Sequence, residues 1–304
     1  MAEQQSTAPP LVTVGVPLFN SARFLDNIVT NLQGFDYPNL EIILSDDCST
    51  DDCIDILRES FNNDLRVTFF RQQKNLGWIQ HYNFILSHAY GKYFMWMPHD
   101  DSYPYNYVSR LVGLLEEQPN AVLAFSRMRG FDVDGNPKDM CRWLPSWSEN
   151  LHWSPFLAVK LLLFWQLWIP FRGVVRRDMI DRANQYIRPT KHSTFADIFW
   201  VFSLALRGPF AYVDDLSCVK YRYPGSVSDG CERYGLSLAR AVEHRKVLLA
   251  YLCASDLSWS SRRLLSFGVH LYMMTELTYR FLPKNFRRRL KDRIRERILS
   301  LGVS

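Results

Sequence analysis

The sequence predicts an α/β fold, with a mostly parallel central sheet flanked by helices and a helical C-terminal extension. Three observations predict it. Over the first 130 residues short β-rich runs alternate with helical patterns, as in right-handed strand–helix–strand crossovers. Three of the strand runs end in polar clusters, where open parallel sheets hold their ligands. From Glu232 onward the pattern is helical to the end, with Pro283 dividing it.

The elements follow in order. Leu11-Val-Thr-Val-Gly-Val-Pro17 is continuous enough for a buried parallel strand. Asn20 or Ser21 caps a helix whose Phe24, Leu25, Ile28 and Leu32 share one face. Leu40-Glu-Ile-Ile-Leu-Ser45 is a second strand, followed by a helix over 51–61 and a third strand over 66–70. A helix over 78–90 is closed by Gly91. A fourth strand over 92–97 ends at Pro98-His99-Asp100-Asp101, before a helix over 104–118 and a strand over 121–125. Residues 127–155 read as a loop or hairpin, with the turn-rich Asp132-Val-Asp-Gly-Asn-Pro137 inside. A strand over 172–175, a helix over 195–207 stopped by Gly208, and a strand pair over 210–213 and 218–221 follow. This divides the chain into a polar N-terminus (1–10), an α/β domain (11–230) and a helical region (231–304).

The chain has 304 residues, 47 % hydrophobic and 22 % charged, an ordinary globular composition that excludes disordered, collagen-like and coiled-coil classes. Nine Trp, fifteen Tyr and twenty Phe suggest a ligand groove or a membrane-facing surface. Six cysteines without a C-x-x-C pair argue against a disulfide framework or a thiolate zinc site and for reduced thiols in a cytoplasm. The polar first ten residues do not read as a signal peptide, and no apolar run is long enough to span a membrane. The net charge is +5, yet 284–297 alone holds eight cations against two carboxylates, a local +6 that leaves the rest near −1. Nucleic acid is therefore not an expected partner, because such proteins spread positive charge over a broad face.

Familiar nucleotide motifs are missing. No G-x-G-x-x-G occurs, and Gly130 and Gly135 have P-loop spacing but Asn136 stands where Lys is needed. No H-E-x-x-H or G-x-S-x-G occurs either. The acidic clusters offer another route to phosphate: Asp100 and Asp101 on one tight loop suit Mn²⁺ or Mg²⁺ shared with a diphosphate. A solvated turn in which Asp101 or Ser102 caps the next helix is the alternative.

Val16-Pro-Leu-Phe-Asn20, Leu44-Ser-Asp-Asp-Cys-Ser-Thr-Asp51, Asn75-Leu-Gly77 and His99-Asp-Asp101 occur in this order. Together they resemble the V-P-x-Y-N, D-D-x-S-x-D, N-x-G and D-x-D-type segments of family 2 inverting glycosyltransferases. The resemblance runs to about residue 230 and implies a GT-A fold, Rossmann-like, with a nucleotide-sugar donor. It implies that Pro17, Phe19, Asn20, Asp46, Asp47, Asn75, Gly77 and Asp100 meet the nucleotide, with Asp47 accepting a hydrogen bond from a uracil or thymine base. It implies that Asp101, helped by Asp100, holds the metal on the diphosphate. Thr194-Phe-Ala-Asp197-Ile-Phe-Trp with Leu206-Arg-Gly208 resembles the segment that carries the catalytic base, which makes Asp197 the base. Without the resemblance, Asp197 reads as an ordinary first-turn carboxylate.

The sequence departs from the pattern in places. Pro98 stands where the first Asp of D-x-D falls, and His99 reads as an exposed loop residue or a spare ligand. Ala196 precedes Asp197 where relatives often carry Glu. Tyr221-Arg-Tyr-Pro224 lacks the His that relatives carry near the metal, and Arg222 meets phosphate or packs on Tyr221 or Tyr223.

At the C-terminus, Phe286, Leu290, Ile294 and Ile298 recur every four residues among cations, the pattern of a basic amphipathic helix at an anionic membrane surface. The alternative is packing on the sheet or on a second subunit. The expectation is a cytoplasmic enzyme, peripheral on the inner face of the membrane, that transfers a sugar from a UDP-linked donor to a glycan or lipid-linked acceptor in surface polysaccharide or glycolipid synthesis. A nucleotidyltransferase and a non-catalytic glycan- or lipid-binding scaffold are the rival readings. The first lacks a Gly-rich, cationic loop after the first strand; Pro98 keeps the second open.

Overall fold

A computed structural model describes residues 8–131, 136–139, 168–180, 186–190, 195–221, 223 and 238–281. Its α/β core starts with β1 (Val12–Leu18), α1 (Leu25–Gly34), β2 (Leu40–Asp46), α2 (Cys53–Ser60), β3 (Val67–Arg71), α3 (Trp78–Ser87) and β4 (Tyr93–Trp96). Strand and helix alternate as expected, and β3, β2, β1 and β4 lie side by side in parallel. Every residue of β1 and β4 is buried, which explains why neither alternates polar with apolar residues.

Beyond β4 the chain departs from a simple parallel wind. β5 (Asp101–Ser102), α4 (Tyr107–Glu117), β6 (Leu123–Phe131) and β7 (Pro137–Asp139) precede β8 (Val174–Arg176), α5 (Ala196–Ala205) and β9 (Phe210–Tyr221). β8 inserts antiparallel between β4 and β6, while β6 pairs in parallel with β9. Among the described residues the sheet has nine strands, ordered β3-β2-β1-β4-β8-β6-β9-β5, with β7 on β6.

Several expected elements are corrected. The strand pair over 210–213 and 218–221 is one strand, β9; a shift of register opposite Ser126/Arg127 accommodates its polar middle. The strand expected over 172–175 is a 3₁₀ turn, Pro170–Arg172, followed by β8. The hairpin expected after residue 127 exists as β6–β7, but β6 runs on to Phe131 because it has β9 to pair with. Ser21 makes no side-chain cap bond, and a 3₁₀ turn, Ala22–Phe24, precedes α1. Gly91 does not close α3, which ends at Ser87. A Cβ at Gly91 would lie 2.5 Å from Tyr93 O and 2.6 Å from Thr13 N, so glycine is needed where the β1 and β4 backbones converge.

The core fills both sides of the sheet. α5 is buried at Ala196 and throughout Ile198–Ala205, as its nearly all-apolar sequence demands. Its Trp200 packs edge-on against Trp96 of β4 and Phe171, at 6.3 and 5.6 Å between ring centroids. These contacts anchor α5 against β4 and Phe171. After residue 237 the helices α6 (Leu238–Cys253) and α7 (Trp259–Phe281) form a hairpin, and α6 packs on α5. A break at 254–258 separates them, where the sequence pattern ran on. No described helix is long and apolar enough to cross a membrane. Cys48, Cys53, Cys218 and Cys253 are free thiols, Cys253 exposed. The basic helix expected at 282–301, the aromatic run at 153–168 except Trp168, Cys141, Cys231 and Arg222 fall outside the described residues.

Candidate active site

The carboxyl ends of β1, β2 and β4 open onto a cavity of about 630 Å³, within the range of ligand sites. The loop after β1 is held by side chains from the loop after β2. Asn20, at φ 49°, accepts the Thr50 N–H through Oδ1 at 2.9 Å, and Asp51 Oδ2 accepts the Ala22 N–H at 2.8 Å. Pro17, Phe19 and Asn20 thereby form one wall.

The two adjacent aspartates after β2 part company. Asp47 faces the cavity; its Oδ1 accepts the Leu76 N–H at 2.7 Å and its Oδ2 the Gly77 N–H at 3.0 Å. Asn75 Oδ1 accepts the same Gly77 N–H at 2.9 Å, so one carboxylate and one amide shape the loop that starts α3. Gly77 sits at φ 78°, ψ 152°, a conformation reserved for glycine. Asp46 is a correction. It was expected at the nucleotide, but it is fully buried outside the lining, accepting hydrogen bonds from the Ser49 N–H and hydroxyl and from Arg71 Nε. It closes the turn that aims Asp47.

The second acidic pair divides in the same way. Asp100 is half-buried and lines the cavity, hydrogen-bonded to Tyr223, whose hydroxyl burial pushes up to about 12. Asp101, expected as the leading metal ligand, is 1 % exposed and outside the lining. Its Oδ2 accepts from Arg172 Nε at 2.8 Å, and Lys220 Nζ lies 3.9 Å from Oδ1. The β5–β9 pairing causes this, because it places Lys220 opposite Asp101. His99 is half-buried rather than exposed. It stacks on Phe24 at 4.7 Å with Nδ1 2.9 Å from Ser21 Oγ, and burial lowers its pKa.

Asp197 enters from the opposite side, in the first turn of α5. Phe195 before it adopts a left-handed backbone at φ 61°, which turns the chain into the helix. Burial raises the Asp197 pKa above 3.8, while the charges of Arg172 and Lys220 pull it back. Arg172 and Lys220 both line the cavity.

Of the ten residues expected at the site, Pro17, Phe19, Asn20, Asp47, Asn75, Gly77, Asp100 and Asp197 share this cavity; Asp46 and Asp101 stand behind it. Sequence reasoning missed Arg172, Lys220, Arg23 and Tyr223. Arg172 carried no motif and sits 71 residues from its partner. Arg23 became visible only by stacking on Tyr223 at 4.2 Å.

No group of three or more His, Cys, Asp or Glu suited to a metal occurs among the described residues. Among the described residues Asp100 is a cavity carboxylate with no ion pair, while Asp101 is engaged by Arg172. One carboxylate with substrate phosphate oxygens is an ordinary donor set for Mg²⁺ or Mn²⁺, so the residues fit such an ion when a diphosphate completes it.

The sequence pattern of Glycosyl transferase family 2 matches residues 13–176. Among curated proteins, the chain is 34 % identical over 108 residues to an uncharacterized glycosyltransferase of Haemophilus influenzae, over 36 % of this chain and 33 % of that protein. It is 28 % identical over 130 residues to the putative teichuronic acid biosynthesis glycosyltransferase TuaG of Bacillus subtilis, over 43 % of this chain and 51 % of TuaG. The alignments thus span about a third to a half of these relatives' lengths. Among solved structures, residues 1–349 of TarS from S. aureus, in complex with UDP-GlcNAc, superpose with a TM-score of 0.67 at 17 % identity, over 87 % of this chain and 72 % of that one. Mannosyltransferase PcManGT from Pyrobaculum calidifontis, in complex with GDP-Man and Mn²⁺, gives 0.54 at 17 % identity, over 91 % and 89 %. These likenesses carry the fold, the GT-A arrangement that the sequence resemblance implied.

Proposed function

This chain belongs to glycosyl transferase family 2, and from that membership we propose that it transfers a sugar from a UDP-linked donor to a hydroxyl acceptor of a surface polysaccharide or glycolipid, inverting the anomeric carbon. The observation that carries the reading is that Asp47, Asp100 and Asp197 line one cavity from three different elements. The TarS complex with UDP-GlcNAc supports a UDP-linked donor, and the name of TuaG supports a cell-surface polymer as acceptor.

Each carboxylate then has one task. Asp47 already accepts two backbone N–H groups, and its oxygens have capacity to accept the imide N–H of uracil. Pro17, Phe19 and Asn20 border the nucleoside. Asp100 would hold Mn²⁺ or Mg²⁺, an ion that neutralises the negative charge of a departing diphosphate; the Mn²⁺ complex of PcManGT supports this. Lys220 adds a fixed cation near the same phosphates. Asp197 takes the proton from the acceptor hydroxyl as that oxygen attacks the anomeric carbon on the face opposite the diphosphate. Burial raises its proton affinity, which suits a base, and Arg172 limits the rise so that the carboxylate is ionised when needed.

Incubation with UDP-sugars, Mn²⁺ and a hydroxyl acceptor tests the proposal. UDP release is expected from the wild type, abolished in Asp197→Asn with UDP binding retained, and lost together with UDP binding in Asp47→Ala. A wild-type protein that neither binds UDP nor releases it from any sugar donor overturns the reading in favour of a non-catalytic scaffold.

A further inference from the structure

We propose that the solvent face of α7 docks the protein on an anionic lipid surface. One face of α7 buries Leu265, Val269, Tyr272 and Met273. The other presents Trp259, Leu264, Phe267 and Leu271 to water, 69, 55, 68 and 48 % exposed. Leu264, Phe267 and Leu271 are spaced by three and four residues, so they form one continuous stripe. A helix that is apolar on both faces is ordinarily covered on both. A contiguous apolar patch of this kind marks an interaction surface rather than the scattered exposure normal for soluble proteins.

Charge and area choose the occupant. α7 leads in sequence into 284–297, which holds eight cations against two carboxylates, while the rest of the chain is near −1. That charge begins three positions after the last residue of α7 in sequence, and anionic headgroups are the surface that neutralises it. With Met274, the exposed apolar side chains on this single helix number five among the described residues, few beside the roughly 20–30 residues a side of a specific protein interface. Arg263 stacks over the Trp259 ring at 4.6 Å, which joins a cation to an amphipathic ring at the end of the stripe, as at a lipid interface. This inference goes beyond sugar transfer and does not depend on it.

Flotation of the full chain with phosphatidylglycerol-containing vesicles, against pure phosphatidylcholine vesicles, tests the surface. The wild type is expected to float with the anionic vesicles only, and less so at high salt. Leu264→Glu/Phe267→Glu/Leu271→Glu is expected to lower the bound fraction by about tenfold or more, since the apolar contribution is removed while the basic segment stays. The milder Phe267→Ser, with circular dichroism unchanged from wild type, is expected to fall between the two. The proposal is overturned if the wild type does not float, or if well-folded variants float as it does. It is equally overturned if light scattering shows a wild-type dimer that the triple variant abolishes while vesicle binding is unchanged, because a second copy then covers the stripe.

Discussion

Arg172 Nε donates to Asp101 Oδ2 at 2.8 Å, and both side chains are buried. The pair joins β5, which starts at Asp101, to the 3₁₀ turn before β8, and so ties the cavity floor together. Arg172 also supplies the largest charge acting on Asp197. One guanidinium therefore serves the architecture and the candidate base at once.

Among the described residues, removing Arg172 leaves the buried Asp101 carboxylate with only Lys220, 3.9 Å away, in place of a hydrogen-bonded guanidinium. Arg172→Met should lower the free energy of unfolding by about 3–5 kcal/mol. The double variant Arg172→Met/Asp101→Leu should recover part of that loss, since both ends of the hydrogen-bonded pair are gone and only Lys220 loses its 3.9 Å contact with Asp101. Urea unfolding of the wild type, the single and the double variant checks this. A double variant no more stable than the single one shows that the pair is not what the site depends on.

Asp197 links activity to pH. Its folded pKa lies above 3.8, so between that value and the raised one the folded protein holds a proton that the unfolded chain has released. Stability from this group is present at low pH and declines as pH climbs through the window. At neutral pH Asp197→Asn should be at least as stable as wild type, although its turnover should fall about 10²–10⁴-fold. The acid limb of kcat/KM should lie above the ordinary carboxylate range, and Arg172→Gln should move it to higher pH. A wild-type limb at or below 3.8 contradicts the assignment of Asp197 as base.

Metal binding should require the nucleotide. Asp100 alone faces the cavity from its acidic pair, so calorimetry should detect little Mn²⁺ binding to the free protein and clear binding once UDP is present. Asp100→Asn should abolish this dependence, whereas Asp101→Asn should chiefly lower stability. Equal Mn²⁺ affinity with and without UDP would mean that the protein supplies a complete site of its own.

The Gly77 loop depends on backbone conformation alone. An added Cβ meets nothing within 4 Å, yet φ is 78°, so Gly77→Ala should destabilise the protein by of order 1–3 kcal/mol through strain. Because Asp47 holds this loop through the Gly77 N–H, UDP affinity should fall as well. Thermal unfolding together with UDP titration separates the two effects. Unchanged values in both would mean that the loop adopts another conformation when the nucleotide binds.

The sequence alone determined the α/β class, the alternating strands and helices of the parallel half, and eight residues that the structure brings to one cavity. Those features rest on local periodicity and on short motifs at strand ends, whose chemistry shows within a few residues. It did not reveal that β8 inserts antiparallel between β4 and β6, that 210–221 is one strand, or which carboxylate of each acidic pair faces the cavity. Adjacent residues in extended segments point opposite ways, and only pairing with distant strands decides which way is inward. Asp101 turned to Arg172, 71 residues away, and Asp46 to Arg71, 25 residues away, partners that no single segment could announce.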